Sequence, residues 1–309
     1  MKNGFINIVL KIQKDYPKNL YPFFQIKLKL FLVSINPLDV FLWTLRRNEK
    51  DVVKLYKTLS PVMQLATGGT MLNFGYWNNE NSEPISAQKN LCSYFAKMAE
   101  LETAKTIIDV GSGLSAPAIF WRNHFENLSI YCVDINYSQL LYSGSQRNIK
   151  FVNSSSTKLP FSKNSIDRVL ALESAQHFKH FSEFISESKR VLSDSGLLVL
   201  AIPVTVNTSS ISKLGILKFT WSSEHYSLEQ IHHMITLGGF TITEEKLIGS
   251  SVYDPLADYY FQKRNQLKEL ILQQYPQYVE TLLFKSIQKM KKASKEKIID
   301  YVLLKCRLQ

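Results

Sequence analysis

Ten residues, Ile107-Ile108-Asp109-Val110-Gly111-Ser112-Gly113-Leu114-Ser115-Ala116, constrain this chain more than any other stretch. An apolar run feeds an acid and a glycine turn, and small residues follow, which predicts a strand, a ligand-binding turn and a helix start. Gly111 and Gly113 permit positive φ and let a ligand approach the backbone without a Cβ in the way. The helix start behind them offers unpaired N–H groups. Further on, Ser129-Ile130-Tyr131-Cys132-Val133-Asp134 reads as a second apolar strand ending in a carboxylate. Nucleotide-binding α/β units place the acid that grips a ribose about twenty residues after the glycine turn.

The spacing Gly111-x-Gly113-x-x-Ala116 also fits a dinucleotide fingerprint, so two ligand classes compete for the turn. Asp109 argues against a pyrophosphate, because a carboxylate at the end of the strand repels that charge in a poorly screened site. S-adenosylmethionine carries no phosphate but a sulfonium and an ammonium, and an acid beside the turn suits it. A nicotinamide-dependent oxidoreductase and a nucleoside-binding protein without catalysis stay open at this point.

From these residues outward the chain resembles the class I S-adenosylmethionine-dependent methyltransferases, over roughly Tyr56 to Leu308. The first motif of that family looks like Ile107 to Ser115, with Ser115 where many members have a third glycine. Asp134 matches the ribose-binding acid, and Ile135 follows where a side chain packs on adenine. Ser154-Ser155-Ser156-Thr157-Lys158-Leu159-Pro160-Phe161 is similar to the adenine loop, which makes Ser155 and Ser156 cofactor-site candidates. Ser155 departs from the family, which usually has Asp there to accept from the adenine amine. Asn73-Phe74-Gly75-Tyr76-Trp77 and Glu173-Ser174-x-x-His177-Phe178 resemble a small-molecule branch. That branch includes macrolide-sugar and indolocarbazole-sugar O-methyltransferases and, more distantly, tocopherol- and sterol-type C-methyltransferases. In that branch the segment with Tyr76 and Trp77 covers the donor, and glycines 68, 69 and 75 supply hinges around it. Ordinary core packing is the competing reading.

Periodicity and turn signals predict helices over 51–67 and 86–101, a fourth strand over 165–172, a helix over 184–192 and a fifth strand over 197–202 after an Asp194-Ser195-Gly196 turn. A polar loop is expected from Val204 to Tyr226. Ser227 then N-caps a helix to Leu237, Gly238-Gly239 ends it, and strand 240–245 follows. Residues 254–297 read as a helical insertion before a last strand, 298–306. The expected fold is α/β: a Rossmann-like, mostly parallel seven-stranded sheet with helices on both faces, the last strand antiparallel, and a helical N-terminal extension. Three regions follow: a basic apolar extension over 1–50, a helical lid and lead-in over 51–104, and a methyltransferase domain over 105–309.

The net charge of +11 sits at the ends of the chain. Residues 1–50 hold nine Lys/Arg against three Asp/Glu, and residues 262–309 hold eleven against four, leaving the middle slightly acidic. With no basic mouth, aromatic platform or binding module, nucleic acid is not an expected partner. The apolar stretches near the N-terminus are interrupted by Lys27, Lys29, Asn36, Pro37 and Asp39, which argues against a membrane span, and they lack a cleavage-site pattern. They read as an amphipathic appendage, packed on the domain or in a homodimer contact; a peripheral membrane contact through residues 1–47 is the sharper alternative. Three scattered cysteines, Cys92, Cys132 and Cys306, fit a reducing, cytoplasmic compartment.

Transfer from an activated donor requires an aligned acceptor and removal of its proton. His177, just past the carboxyl end of the fourth strand, is the candidate general base. Capping the next helix or packing beside Phe178 is its structural alternative. Glu173 is expected to orient the acceptor or hold the donor's ammonium, and His225 is a second candidate for the base. No Cys/His/Asp/Glu set has metal-ligand spacing, so metal-independent transfer to a small, lipophilic molecule is expected, on a hydroxyl oxygen or alternatively on carbon.

Overall fold

Strands buried on both faces read as near-continuous apolar runs, and the runs at 107–110 (interrupted by Asp109), 130–133 and 197–204 pair as such a sheet. The computed structural model describes residues 49–78, 83–142 and 144–309. The amphipathic, dimer and membrane readings of residues 1–47 lie outside the described residues. Helices α1 (Glu49–Thr67) and α2 (Pro84–Met98) precede β1 (Thr106–Val110). Then come α3 (Ala116–His124), β2 (Ser129–Asp134), α4 (Tyr137–Tyr142), β3 (Ile149–Asn153) and β4 (Ile166–Leu172). Helix α5 (Phe181–Val191) leads into β5 (Leu192–Thr205), followed by α6 (Leu217–Thr220), α7 (Leu228–Leu237) and β6 (Phe240–Leu247). The helical pair α8 (Gly249–Leu272) and α9 (Gln277–Lys295) precedes β7 (Ile299–Leu308).

The seven strands lie in the order β3-β2-β1-β4-β5-β7-β6. Pairing is parallel from β3 to β5, with Ile108 opposite Tyr131 on one side and Val169 on the other. β7 runs antiparallel to both β5 and β6, so the sheet is mostly parallel with one reversed strand, as expected. One face packs Ile107, Leu170 and Val199 against Leu91, Phe95 and Trp121; the other packs Ile108, Val169 and Leu200 against Phe184, Ile185 and Ile231. Fully buried aromatics such as Trp121 and Phe184 each anchor these layers, at about 3–5 kcal/mol for truncation to alanine.

Several local expectations shift. Glu49 begins the first helix, so the boundary placed at residue 50 cuts through its first turn. β5 starts at Leu192; Ile166 pairs with Leu192 and Arg168 with Leu197, so Asp194-Ser195-Gly196 is an excursion within the strand. The expected loop 204–226 is partly helical, because Leu214, Leu217 and Trp221 find a core to enter, a tertiary gain that the surrounding serines and threonines conceal. The helix starting after Ser227 has a full capping box: Ser227 accepts from the Gln230 N–H at 3.2 Å, and the Gln230 side chain accepts from the Ser227 N–H at 2.9 Å.

Candidate active site

The strand order reverses between β1 and β4, and the chain ends its strands there on Val110 and Leu172 with a crevice between them, where open α/β sheets bind ligands. Gly111 turns at φ +73°, and a Cβ on it would stand 2.4 Å from the Cβ of Ser174, so the turn and the β4 loop touch only because residue 111 has no side chain. Ser174 ties the two loops by donating to the Val110 carbonyl at 2.6 Å. At Gly113, φ +53°, a Cβ would meet nothing closer than 3.8 Å and would instead fill the crevice. Ser115, where a third glycine is common, is buried and holds φ +56°, a left-handed conformation unusual for a side-chain-bearing residue. Asp134 ends β2 with both oxygens engaged: Gly113 N–H donates to one at 2.8 Å and Asn136 N–H to the other at 2.7 Å. Burial raises its carboxyl above the usual range, against the pull of those two N–H groups.

A cavity of about 960 Å³, its open mouth included, follows this edge. Val110 to Leu114, Asp134, Ile135 and Asn136 form its floor, with Ser154 and Ser156 at one end and Glu173, Ser174 and His177 at the other. The loop 154–161 is held from behind. Glu187 accepts from the Leu159 N–H at 2.8 Å, while Arg190, paired to Glu187 at 2.7 Å, donates to the carbonyls of Leu159 and Phe161, each at 2.7 Å. This pairing holds the Glu187 carboxyl below its ordinary value.

A second cavity of about 1180 Å³ adjoins the first. Its walls come from α1 (Leu55, Leu59, Val62, Met63), α6 with Trp221, and the α8–α9 pair (Leu256, Tyr259, Ile287, Met290), and they are mostly apolar. Tyr56, Leu72, Asn73, Glu173 and His177 line both cavities and therefore mark the passage between them. Glu173 sits at φ +53°, and its carboxylate receives the Phe74 N–H at 2.9 and 3.1 Å and the Tyr301 hydroxyl at 2.9 Å. Burial pushes this carboxyl up to about 8, although both donors favour its ionised form. His177 closes a short 3₁₀ turn; its Nε2 lies 2.8 Å from the Tyr56 hydroxyl and its Nδ1 2.6 Å from that of Ser223. It does not cap α5, which begins after His180.

Other expected residues fall elsewhere. Asp109 is buried on β1 in register with Cys132 and lines neither cavity. Burial, and then the charge of Asp134, raise its carboxyl to about 7. Tyr76 and Trp77 also line neither cavity: the Tyr76 N–H donates to Ala87 and its ring meets Tyr94 at 5.3 Å, while Trp77 packs on Tyr259 at 5.8 Å and donates Nε1–H to the Phe74 carbonyl. They pin the lead-in to α2 and α8, and the residues just before them reach the passage instead. His225 lines neither cavity; its Nε2 lies 3.1 Å from the Lys218 carbonyl and its ring stacks on Trp221. Ser155 lies in a shallow depression beside the first cavity, with its hydroxyl donating to Glu49 at 2.5 Å. Glu49, Tyr56 and Asn73 line the crevice although no role at a site was expected of them. The one signal for the first two is helical spacing, since Glu49, Val53 and Tyr56 recur at four and three residues on one stripe.

The crevice at the glycine turn thus opens into an apolar chamber. Residues 108–200 match a methyltransferase-domain family. The erythromycin 3''-O-methyltransferase of Saccharopolyspora erythraea is 26% identical over 244 residues, covering 72% of this chain and 78% of that protein. A sterol 24-C-methyltransferase of Pneumocystis carinii is 30% identical over 111 residues, covering 34% of this chain and 29% of that one. Among solved structures, the cyclopropane synthase MmaA2 of Mycobacterium tuberculosis superposes with a TM-score of 0.71 at 15% identity, over 85% of this chain and 99% of that one. The chain is an S-adenosylmethionine-dependent methyltransferase of the class I, Rossmann-like fold, of the kind that modifies small molecules. The nicotinamide and non-catalytic alternatives fall with that assignment. No helix of the described residues is long and apolar enough to cross a membrane.

Proposed function

We propose that the chain methylates a hydroxyl oxygen of a small lipophilic acceptor held in the apolar chamber, with His177 as general base. The observation that carries this reading is the passage: His177 and Glu173 stand where the polar crevice meets the chamber. The donor brings a methyl group already activated on a sulfonium, so the chain has only to align the acceptor and take its proton. In this reading the backbone at Gly111 and Gly113 cradles the donor, Asp134 grips the ribose hydroxyls and Ile135 lies on the base. Glu173, which gives up its proton as the donor's cation arrives beside it, holds the ammonium. With an Nδ1 proton given to Ser223, the His177 Nε2 is left as an acceptor, and an incoming hydroxyl replaces the Tyr56 contact. The apolar walls supply affinity by burial, roughly 25 cal/mol per Å² of apolar surface covered.

His177→Gln tests the base. With isotopically labelled donor and a lipid or polyketide extract as the acceptor pool, transfer is expected to fall by about 10²–10⁴ while donor affinity stays within twofold. Undiminished transfer removes His177 from the reaction. A second reading, C-methylation of a quinone-, tocopherol- or sterol-like lipid, is supported by the apolar chamber and by the likeness to a sterol C-methyltransferase. It uses the same proton acceptors, and mass-spectrometric location of the new methyl on oxygen or carbon decides between the two.

A further inference from the structure

The first helix brings a carboxylate to the end of the crevice away from the chamber, and we propose that Glu49 receives the exocyclic amine of the donor's adenine, beside the position where the loop offers only Ser155. The inference rests on the donor occupying the first cavity, and it assigns the base-recognising residue to an element outside the nucleotide-binding sheet.

The crevice has a direction. Glu173 and His177 bound the end that opens into the chamber, where a methyl group must be delivered; Asp134 stands in the middle; Ile135, Ser154, Ser156 and Glu49 bound the remaining end. A nucleoside gripped by its ribose at Asp134, with its sulfur toward the chamber, puts its base at that remaining end. The polar edge of adenine there presents an amine, which requires an acceptor. Ser155 is poorly placed to be that acceptor. It does not line the crevice, and its hydroxyl proton is committed to Glu49. Its oxygen also receives the Thr157 N–H at 3.3 Å.

Glu49 meets the requirement. An ionised carboxylate is acceptor-only with about four lone-pair positions, so it can hold the Ser155 hydroxyl and an amine together. Its place in the first turn of α1 favours a negative charge. Ser155 thereby becomes a positioning residue, aiming the carboxylate it lacks. The same helix carries Tyr56 to the passage and Leu59 and Met63 to the chamber wall, and Ser60 accepts from the Gln139 amide at 2.9 Å. One helix thus reads the donor's base with its first turn and shapes the acceptor chamber with its later ones, so donor binding steadies the wall against which the acceptor packs.

The test compares calorimetric binding of S-adenosylhomocysteine with that of S-inosylhomocysteine, in which a carbonyl oxygen replaces the amine, to the full chain and to its Glu49→Gln and Ser155→Ala variants. The wild type is expected to prefer the adenosyl compound by about tenfold or more, the scale of a hydrogen bond to a charged group. Glu49→Gln should bring that ratio close to one, because the amide can turn to donate to the carbonyl, while inosyl affinity is kept or improved. Ser155→Ala should lower the ratio by a smaller factor. A merely structural role for Glu49 would weaken both compounds equally and leave the ratio unchanged, which overturns the inference. Absence of discrimination by the wild type overturns it as well. Binding of neither compound by folded wild-type protein instead overturns the donor reading on which it stands.

Discussion

The two cavities that meet at His177 are built in opposite ways. The donor crevice is made largely of short contiguous pieces at the carboxyl ends of neighbouring strands, Val110 to Leu114, Val133 to Asn136 and Leu172 to Ser174, and its polar groups are fixed by backbone hydrogen bonds. The chamber proposed for the acceptor is lined by side chains from helices far apart in sequence, α1, α2, α6, α8 and α9, and apolar packing forms most of its wall. A glycine at positive φ accepts few replacements, whereas apolar walls tolerate volume-conserving exchange. In the proposed reading this chain spends backbone precision on the donor and side-chain volume on the acceptor.

That contrast can be broken most forcefully at Gly111. Gly111→Ala places a methyl group 2.4 Å from the Cβ of Ser174 on a residue at φ +73°, so S-adenosylhomocysteine affinity is expected to drop by roughly 100-fold or more, with a lower Tm. Near-wild-type calorimetric affinity would mean that the turn does not hold the donor. Leu59→Trp, which fills the chamber from α1, should cut labelled-product yield from a lipophilic acceptor pool about tenfold and leave donor affinity within twofold. Equal losses in both would show that the cavities are not separable.

A subtler difference concerns pH. Burial lifts Glu173 from 4.5 to about 8 and Asp109 from 3.8 to about 7, so between those limits the folded chain holds protons that the unfolded chain has released. The stability they contribute is full below about pH 4 and is lost as pH rises through the folded values. Tm should therefore decline by a few degrees between pH 5.5 and 8.5 from this source, and Glu173→Gln should flatten the Glu173 share of the slope. A thermal-melt series with the same slope in that variant would show that Glu173 does not carry the proton. The smallest effect is expected at Tyr76→Phe, since that residue packs on Ala87 and Tyr94 of α2 and lines neither cavity: donor affinity should stay within twofold. A larger loss would return the residue to the donor site.

The sequence by itself determined the donor half. The run from Ile107 to Ala116, the acid at Asp134 and the capped helix after Ser227 are specified within windows of a few residues, where strand alternation, positive-φ turns and caps are local properties of the backbone. Pairing Asp109 with the turn also looked local, yet its side chain is buried beside Cys132 and lines neither cavity. Aromatic character at Tyr76 and Trp77 leaves open whether they cover a ligand or a core; only the fold shows them packed on α2 and α8. Only the tertiary structure brought Glu49 to Ser155 across 106 residues and Tyr56 to His177 across 121. It alone closed the chamber from five helices. No short window encodes such meetings, because they depend on how amphipathic faces pack once the sheet exists, and that packing is a property of the whole chain.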